Sequence, residues 1–158
     1  MNIYLVRHAH AGARTHGGRD IFRQLSSDGH DRANALVSLF AGRLPSHILS
    51  SPATRCVQTV TPLAEAHGMD VQECQELWEG SRIDEALAAL KIENGTNVVA
   101  CSHGDIIPGL IEMLASDGVP IEGRGCELGS VWALSHEDGR WTGARYVGID
   151  TGSLDQPT

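Results

Sequence analysis

The chain has 158 residues, 41% hydrophobic and 20% charged, which is ordinary usage for one globular domain and excludes a disordered tail, a collagen-like fibre and a disulfide-knotted toxin. Twelve Lys and Arg stand against twenty Asp and Glu, a formal charge of −8. A surface this acidic excludes a general nucleic-acid binder, whose affinity comes from neutralising phosphates, so any anionic substrate must be caught by a local basic cluster.

Ile3 to Val6 is the apolar core of a run that starts at Asn2. It predicts a buried strand with Arg7 at its C-terminal end. A polar, glycine-rich stretch, 8–20, follows. Ser26, Ser27 and Asp28 offer a helix N-cap, and Ala33, Leu36, Val37 and Phe40 recur at helical spacing until Gly42 and Pro45. His47 to Leu49 predicts a second strand, ending in Ser50-Ser51. Pro52 suits the first turn of a helix that carries Val57, Val60, Leu63 and Ala64 on one side. Met69 to Val71 predicts a brief third strand. Ile83 to Leu90 predicts a helix stopped by Asn94-Gly95, and the continuous apolar run Val98 to Cys101 predicts a central strand. Ser102-His103-Gly104-Asp105 follows directly, then a helix over Ile106 to Leu114 with Pro108 tolerable in its first turn. Leu128 to Leu134 and Trp141 to Val147 predict strands around the turn Glu137-Asp138-Gly139. Residues 150–158 read as a loose tail behind a single domain over 1–149.

Strands alternating with helices predict a mostly parallel α/β sheet, whose active site lies at the C-terminal strand ends. Two histidine-bearing segments, Arg7-His8 and Ser102-His103, occupy such ends. In Ser51-Pro52-Ala53-Thr54-Arg55 an arginine sits in the first turn of a helix, where the helix dipole does not favour a cation. Binding an anion beside the free N–H groups is one reason to keep it there. Two Arg and two His suit a phosphoryl group: Arg offers planar forks of donors, a neutral His can attack phosphorus, and a second, protonated His can stabilise the equatorial oxygens.

Leu5-Val6-Arg7-His8-Ala9, Ser50-Ser51-Pro52-Ala53-Thr54-Arg55 and Ser102-His103-Gly104, in this order, resemble the histidine phosphatase superfamily, the phosphoglycerate-mutase-like group. The R-H-A wording and the short chain are similar to the SixA-type branch. They are also similar to the small phosphatase domain fused behind Nudix (MutT-type) domains. The resemblance spans roughly residues 2 to 147. It implies a three-layer αβα sandwich around a mostly parallel sheet, without a cap domain. Only 23 residues lie between Arg55 and Glu79, where larger members place substrate-selecting insertions.

The resemblance further implies a metal-independent phosphatase with no cofactor and a covalent phosphohistidine on His8. Arg7, Arg55 and His103 complete the phosphate pocket. The family's acidic proton donor often stands in an L-x-E context, which Leu77-Trp78-Glu79 matches; Glu76 and Asp105 remain alternatives. Glu79 would protonate the leaving oxygen and then deprotonate the hydrolytic water. Substrate contacts are expected of His10, Arg14 and Asp105, and a polar lip of His16, Gly17, Gly18 and Arg19. Gln24 stands where the family often has Pro after Arg23. Trp78 suits the pocket mouth or the core, and Cys101 suits the core rather than a nucleophile.

Two substrate classes are compatible: a phosphohistidine on a signalling protein, and a nucleotide polyphosphate or other phosphorylated small molecule. A metal hydrolase using His8, His10, His103 and Asp105 and a non-catalytic phosphate-binding module are the competing readings. The first lacks an H-x-H-x-D-H continuation, and the chain is too short for a (β/α)₈ barrel of ~250 residues. Cys56, Cys74, Cys101 and Cys126 form no C-x-x-C pair and read as reduced thiols. No apolar run reaches the ~18 residues of a membrane span, and Arg7 and His8 interrupt the first apolar stretch, unlike a signal peptide. A cytoplasmic protein without membrane contact is expected. The residues carry no signal for its oligomeric state or for a separate Nudix partner.

Overall fold

A computed structural model describes residues 1–14, 18–90 and 96–155. The expected Asn94-Gly95 stop, His16 and Gly17 of the polar lip, and the last three tail residues lie outside them. Among the described residues the strands are β1 (Asn2–Arg7), β2 (His47–Ser50), β3 (Gln72–Glu73), β4 (Val98–Ser102), β5 (Ile121–Glu122), β6 (Val131–Glu137) and β7 (Arg140–Val147). The helices are α1 (Ser27–Leu39), α2 (Thr54–Ala66), α3 (Ile83–Ala89) and α4 (Ile106–Ser116). One sheet runs in the order β3-β2-β4-β1-β6-β7-β5. Its first four strands are parallel, β6 is antiparallel to both neighbours, and β5 runs parallel to β7.

Every residue of β4 is buried, because helices cover both faces, and a strand covered twice needs no alternation. On β1 the pleat sends Tyr4 and Val6 into a core with Leu36 and Phe40 and with Val60 and Leu63 of α2. Ile3 and Leu5 join Ala86 of α3 and Ile106, Leu110 and Leu114 of α4 on the other side. The result is the three-layer sandwich around a mostly parallel sheet. Between Arg55 and Glu79 the chain makes the rest of α2, β3 and one 3₁₀ turn, Gln75–Leu77.

Ser26 caps α1 by accepting the Gly29 N–H at 3.1 Å, an arrangement worth ~1 kcal/mol. Gly29 is also a close approach: a Cβ there would stand 2.0 Å from the His10 carbonyl oxygen. This glycine lets the helix lie against the loop that follows β1.

The third strand is Gln72–Glu73 rather than Met69–Val71. Its position follows from pairing with Leu49 and Ser50, extended by the Cys74 N–H to the Ser50 carbonyl at 2.8 Å. Both of its residues are exposed, so an edge this short has no hydrophobic signature, while Met69 and Val71 pack on the core as irregular chain. β6 begins at Val131, not Leu128, because Gly129 turns with φ +79°. Its N–H reaches the Arg7 and His8 carbonyls at 3.1 and 3.2 Å. β5 and the 3₁₀ turns Gly18–Phe22 and Gln75–Leu77 had no sequence expectation.

Within the expected loose tail, Leu154 is only 3% exposed and packs into the core with Tyr4 and Phe40. Its carbonyl accepts from Arg145, and Asp155 pairs with Arg43. Leu154→Ala should therefore lower unfolding free energy by about 2–3 kcal/mol in a urea titration. A loss below ~0.5 kcal/mol, the size of a surface change, would show the segment to be energetically loose.

Candidate active site

Parallel register brings the motifs together. Arg7 of β1 lies opposite Ser102 of β4, and Ser50 of β2 lies opposite Cys101. Two loop hydrogen bonds continue the ladders past the strand ends, His8 N–H to the Ser102 carbonyl and Ser51 N–H to the Cys101 carbonyl, each 3.0 Å. His8 and His103 thus leave adjacent strands at one level, with ring centroids 5.4 Å apart.

His8 is 7% exposed. Its Nδ1 lies 2.9 Å from the Ala9 carbonyl oxygen. A carbonyl only accepts, so Nδ1 carries the proton and the lone pair is on Nε2. Burial pushes the pKa of this ring down to about 3; the Ala9 hydrogen bond opposes it, and the nearby His103, Arg55 and Arg7 add to the fall. The imidazole is therefore uncharged throughout the physiological range. Between the ordinary 6.5 and about 3 the unfolded chain holds a proton at this position that the folded chain does not, so acidification through that window destabilises the fold.

Arg55 is wholly buried. Its Nη1 donates to the Asp20 carbonyl at 3.0 Å and lies 3.4 Å from the Asp20 carboxylate. Nη2 lies 3.4 Å from His103 Nδ1 and 3.5 Å from Glu79 Oε2. Asp20 is held in turn by Arg23 at 3.0 Å, and Arg23 also reaches the Gly12 carbonyl. Arg7 donates to the Cys126 carbonyl. The buried Nε groups of Arg7 and Arg55 have no protein acceptor among the described residues. Gly104 makes room for Arg7: a Cβ would meet Nη2 at 2.8 Å and Cζ at 2.9 Å.

His103 is 2% exposed, with Nε2 2.8 Å from Ser51 Oγ. Because Arg55 only donates, the contact assigns His103 Nδ1 as the acceptor and Nε2 as the donor to Ser51. Trp78 stands edge-on to this ring at 5.2 Å, and the Arg55 guanidinium lies 5.8 Å over the indole, within cation–π range. Thr59 ties the two halves: it accepts the Ala9 N–H at 3.0 Å and donates to the Arg55 carbonyl at 2.7 Å. Cys101 is a buried core thiol whose pKa is raised by burial.

Arg7, His8, Arg14, Glu79, His103 and Asp105, with Gly80 and Gly104, line an open cleft of ≈ 500 Å³. Seven of the eight residues expected at the site thus meet there, Arg55 from beneath. His10 does not line it; its Nδ1 lies 2.7 Å from the capping Ser26 Oγ. Glu76, the third candidate acid, is not at the cleft and contacts the Cys74 thiol. Asp105 Oδ2 accepts the Gly80 N–H at 2.7 Å, which anchors the loop that bears Glu79. Asp20, Ser51 and Thr59 had not been singled out. Ser51 stood inside a motif; the other two had no local signal. Among the described residues, no group of three or more His, Cys, Asp or Glu could hold a metal ion.

A family model for the histidine phosphatase superfamily (branch 1) matches residues 3–81, half of the chain. The chain belongs to the histidine phosphatase superfamily. It is 33% identical over 152 residues to an 8-oxo-(d)GTP phosphatase of Mycolicibacterium smegmatis, covering 92% of this chain but 47% of that protein. The chain thus spans about half the length of this curated relative. A crystal structure of a protein assigned as the phosphohistidine phosphatase SixA of Agrobacterium tumefaciens superposes with a TM-score of 0.70 at 26% identity, over 89% of this chain and 92% of that one. A protein histidine phosphatase SixA complexed with tungstate shares the fold, with a TM-score of 0.72 at 17% identity, over 94% and 97% of the two chains.

Two measurements test this candidate site. At pH 5.5, nitrogen-detected NMR should find His8 neutral with its proton on Nδ1; an imidazolium signal there contradicts the buried-ring reading. Gly104→Ala should leave the fold intact by circular dichroism yet weaken inorganic phosphate binding by about 10–100-fold, the size of one charge-assisted hydrogen bond. Unchanged affinity in calorimetry would mean that Arg7 does not depend on that glycine.

Proposed function

We propose that this chain is a phosphatase that works through a covalent phosphohistidine on His8. The observation that carries the reading is the His8 ring itself: neutral, held in one tautomer by the Ala9 carbonyl, with its Nε2 lone pair available beside a cleft lined with cationic groups. Nε2 attacks phosphorus and forms the N–P bond while the bond to the leaving group breaks. Arg7, Arg55 and His103 face the charge on the transferring oxygens. Their positions are set before substrate arrives, so little reorganisation accompanies the step. In the second step water attacks phosphorus, the N–P bond breaks, and His8 is restored.

Glu79 is our choice for the proton-exchanging group, a role worth about 10²–10⁴-fold. It shares the cleft with Asp105, whose Oδ2 is engaged by a backbone N–H, and Glu76 is elsewhere. No step requires a metal, since the guanidinium groups of Arg7 and Arg55 supply the positive charge.

The name of the Mycolicibacterium relative points to a nucleoside triphosphate, and that of the SixA proteins to phosphohistidine on a protein. Both are phosphorylated groups that an uncapped cleft can receive. Unpaired Cys56, Cys74, Cys101 and Cys126 suit a reducing, cytoplasmic setting, and among the described residues no helix is long and apolar enough to cross a membrane.

The test is phosphate release in the presence of EDTA, from p-nitrophenyl phosphate, nucleotides and a phosphohistidine protein. Wild-type turnover should persist, and His8→Ala should lower it by roughly 10³-fold or more. Turnover lost to EDTA would favour a metal hydrolase instead, and no turnover on any substrate would favour a binding module.

A further inference from the structure

Glu79 is ion-paired twice, and through one oxygen. Its Oε2 lies 3.5 Å from Arg55 Nη2 and 3.7 Å from Arg14 Nη2. The two arginines differ. Arg55 is wholly buried, whereas the Arg14 side chain is 70% exposed at the cleft. Arg55 also has Asp20 as a standing partner. For Arg14 the only contact seen among the described residues is Glu79, at a distance beyond a normal hydrogen bond. Such a loose, solvent-exposed pair is worth little by itself, so an incoming anion can displace it at small cost.

From this arrangement we infer that Arg14 is a specificity-determining residue that receives a second phosphate of the substrate, so that the site is built for phosphoanhydrides such as nucleoside diphosphates or triphosphates. The inference rests on the phosphatase reading and names its substrate class. Glu79 Oε2 already faces two guanidinium groups. An alkyl alcohol leaves poorly unless it is given a proton. The phosphate released from an anhydride leaves as a stable anion, because phosphate monoesters lose their second proton near pH 6. With an anhydride the first step balances without an acid. The His8 Nε2 lone pair forms the N–P bond, the bridging P–O bond breaks, and its electron pair stays on the departing phosphate. Arg14 then turns from Glu79 to that phosphate and neutralises its growing charge. Glu79 takes the proton of the water that cleaves the phosphohistidine.

Three substrates separate the elements of this argument. A nucleoside diphosphate has an acidic leaving group and a second phosphate. p-Nitrophenyl phosphate has an acidic leaving group without a second phosphate. Glycerol 2-phosphate has neither. The expected order of kcat/KM is diphosphate, then p-nitrophenyl phosphate, then glycerol phosphate. Arg14→Ala should reduce the diphosphate to p-nitrophenyl phosphate ratio by about 10-fold, mainly through KM, and Arg14→Lys should restore part of it. Glu79→Gln should accumulate acid-labile phosphoenzyme from the diphosphate, since only its second step needs the carboxylate. A ratio unmoved by Arg14→Ala, or a preference for glycerol phosphate or a phosphohistidine protein, overturns the inference while leaving a His8-dependent phosphatase standing. Loss of the parent reading looks different: turnover on any substrate would then survive His8→Ala.

Discussion

The guanidinium of Arg55 is wholly buried, and removing a cation from water costs several kcal/mol unless acceptors meet it. Much of the cleft is the answer to that cost. Asp20 offers its carbonyl and its carboxylate, Glu79 a second carboxylate, His103 a ring nitrogen and Trp78 an aromatic face. These groups come from three separate stretches of chain, and each is oriented by its contact with the same cation. Breaking the set would leave a buried charge uncompensated, so the loop before α1, the start of α2 and the turn after β3 are energetically coupled.

The same cation shapes the chemistry. Its field, with that of Arg7, adds to burial in keeping His8 unprotonated, and the Ala9 carbonyl decides which nitrogen keeps its lone pair. A chain of net charge −8 repels anions at long range, yet the cleft gathers Arg7, Arg14 and Arg55 within it or directly beneath. Exposed charges are screened over about 8–10 Å in physiological salt, so at contact distance the local arginines prevail over the global field. The short passage from Arg55 to Glu79 leaves the mouth uncapped, and chain length thereby bears on which substrates can enter.

Much of the architecture was legible because the signals were local. The runs at Ile3, Ile48 and Val98 are apolar because both faces of their strands are covered, and Ser26 announces a helix through a capping bond three residues long. Misreadings came where partners in space decide. Gln72–Glu73 is a strand only because Leu49 and Ser50 lie beside it, while Met69 and Val71 carry apolar side chains without pairing. Leu154 looked like tail because a single buried leucine in a polar segment has no period to detect. Its carbonyl is met by Arg145, 9 positions away, and Asp155 by Arg43, 112 positions away.

By itself the sequence determined the chemical inventory: two His and two Arg at strand ends, an acid in an L-x-E context, and a short link between them. Those features are set by residue type and by spacing along the chain, where backbone period alone turns order into place. Tertiary structure decided where each group stands and what it touches. It separated Glu79 and Asp105 from Glu76, drew His10 away to the cap of α1, and recruited Asp20, Ser51 and Thr59 from positions with ordinary neighbours. Hydrogen bonds and ion pairs act over about 3–4 Å through space, and only the packing of helices on a parallel sheet brings residues so far apart in the chain within that range.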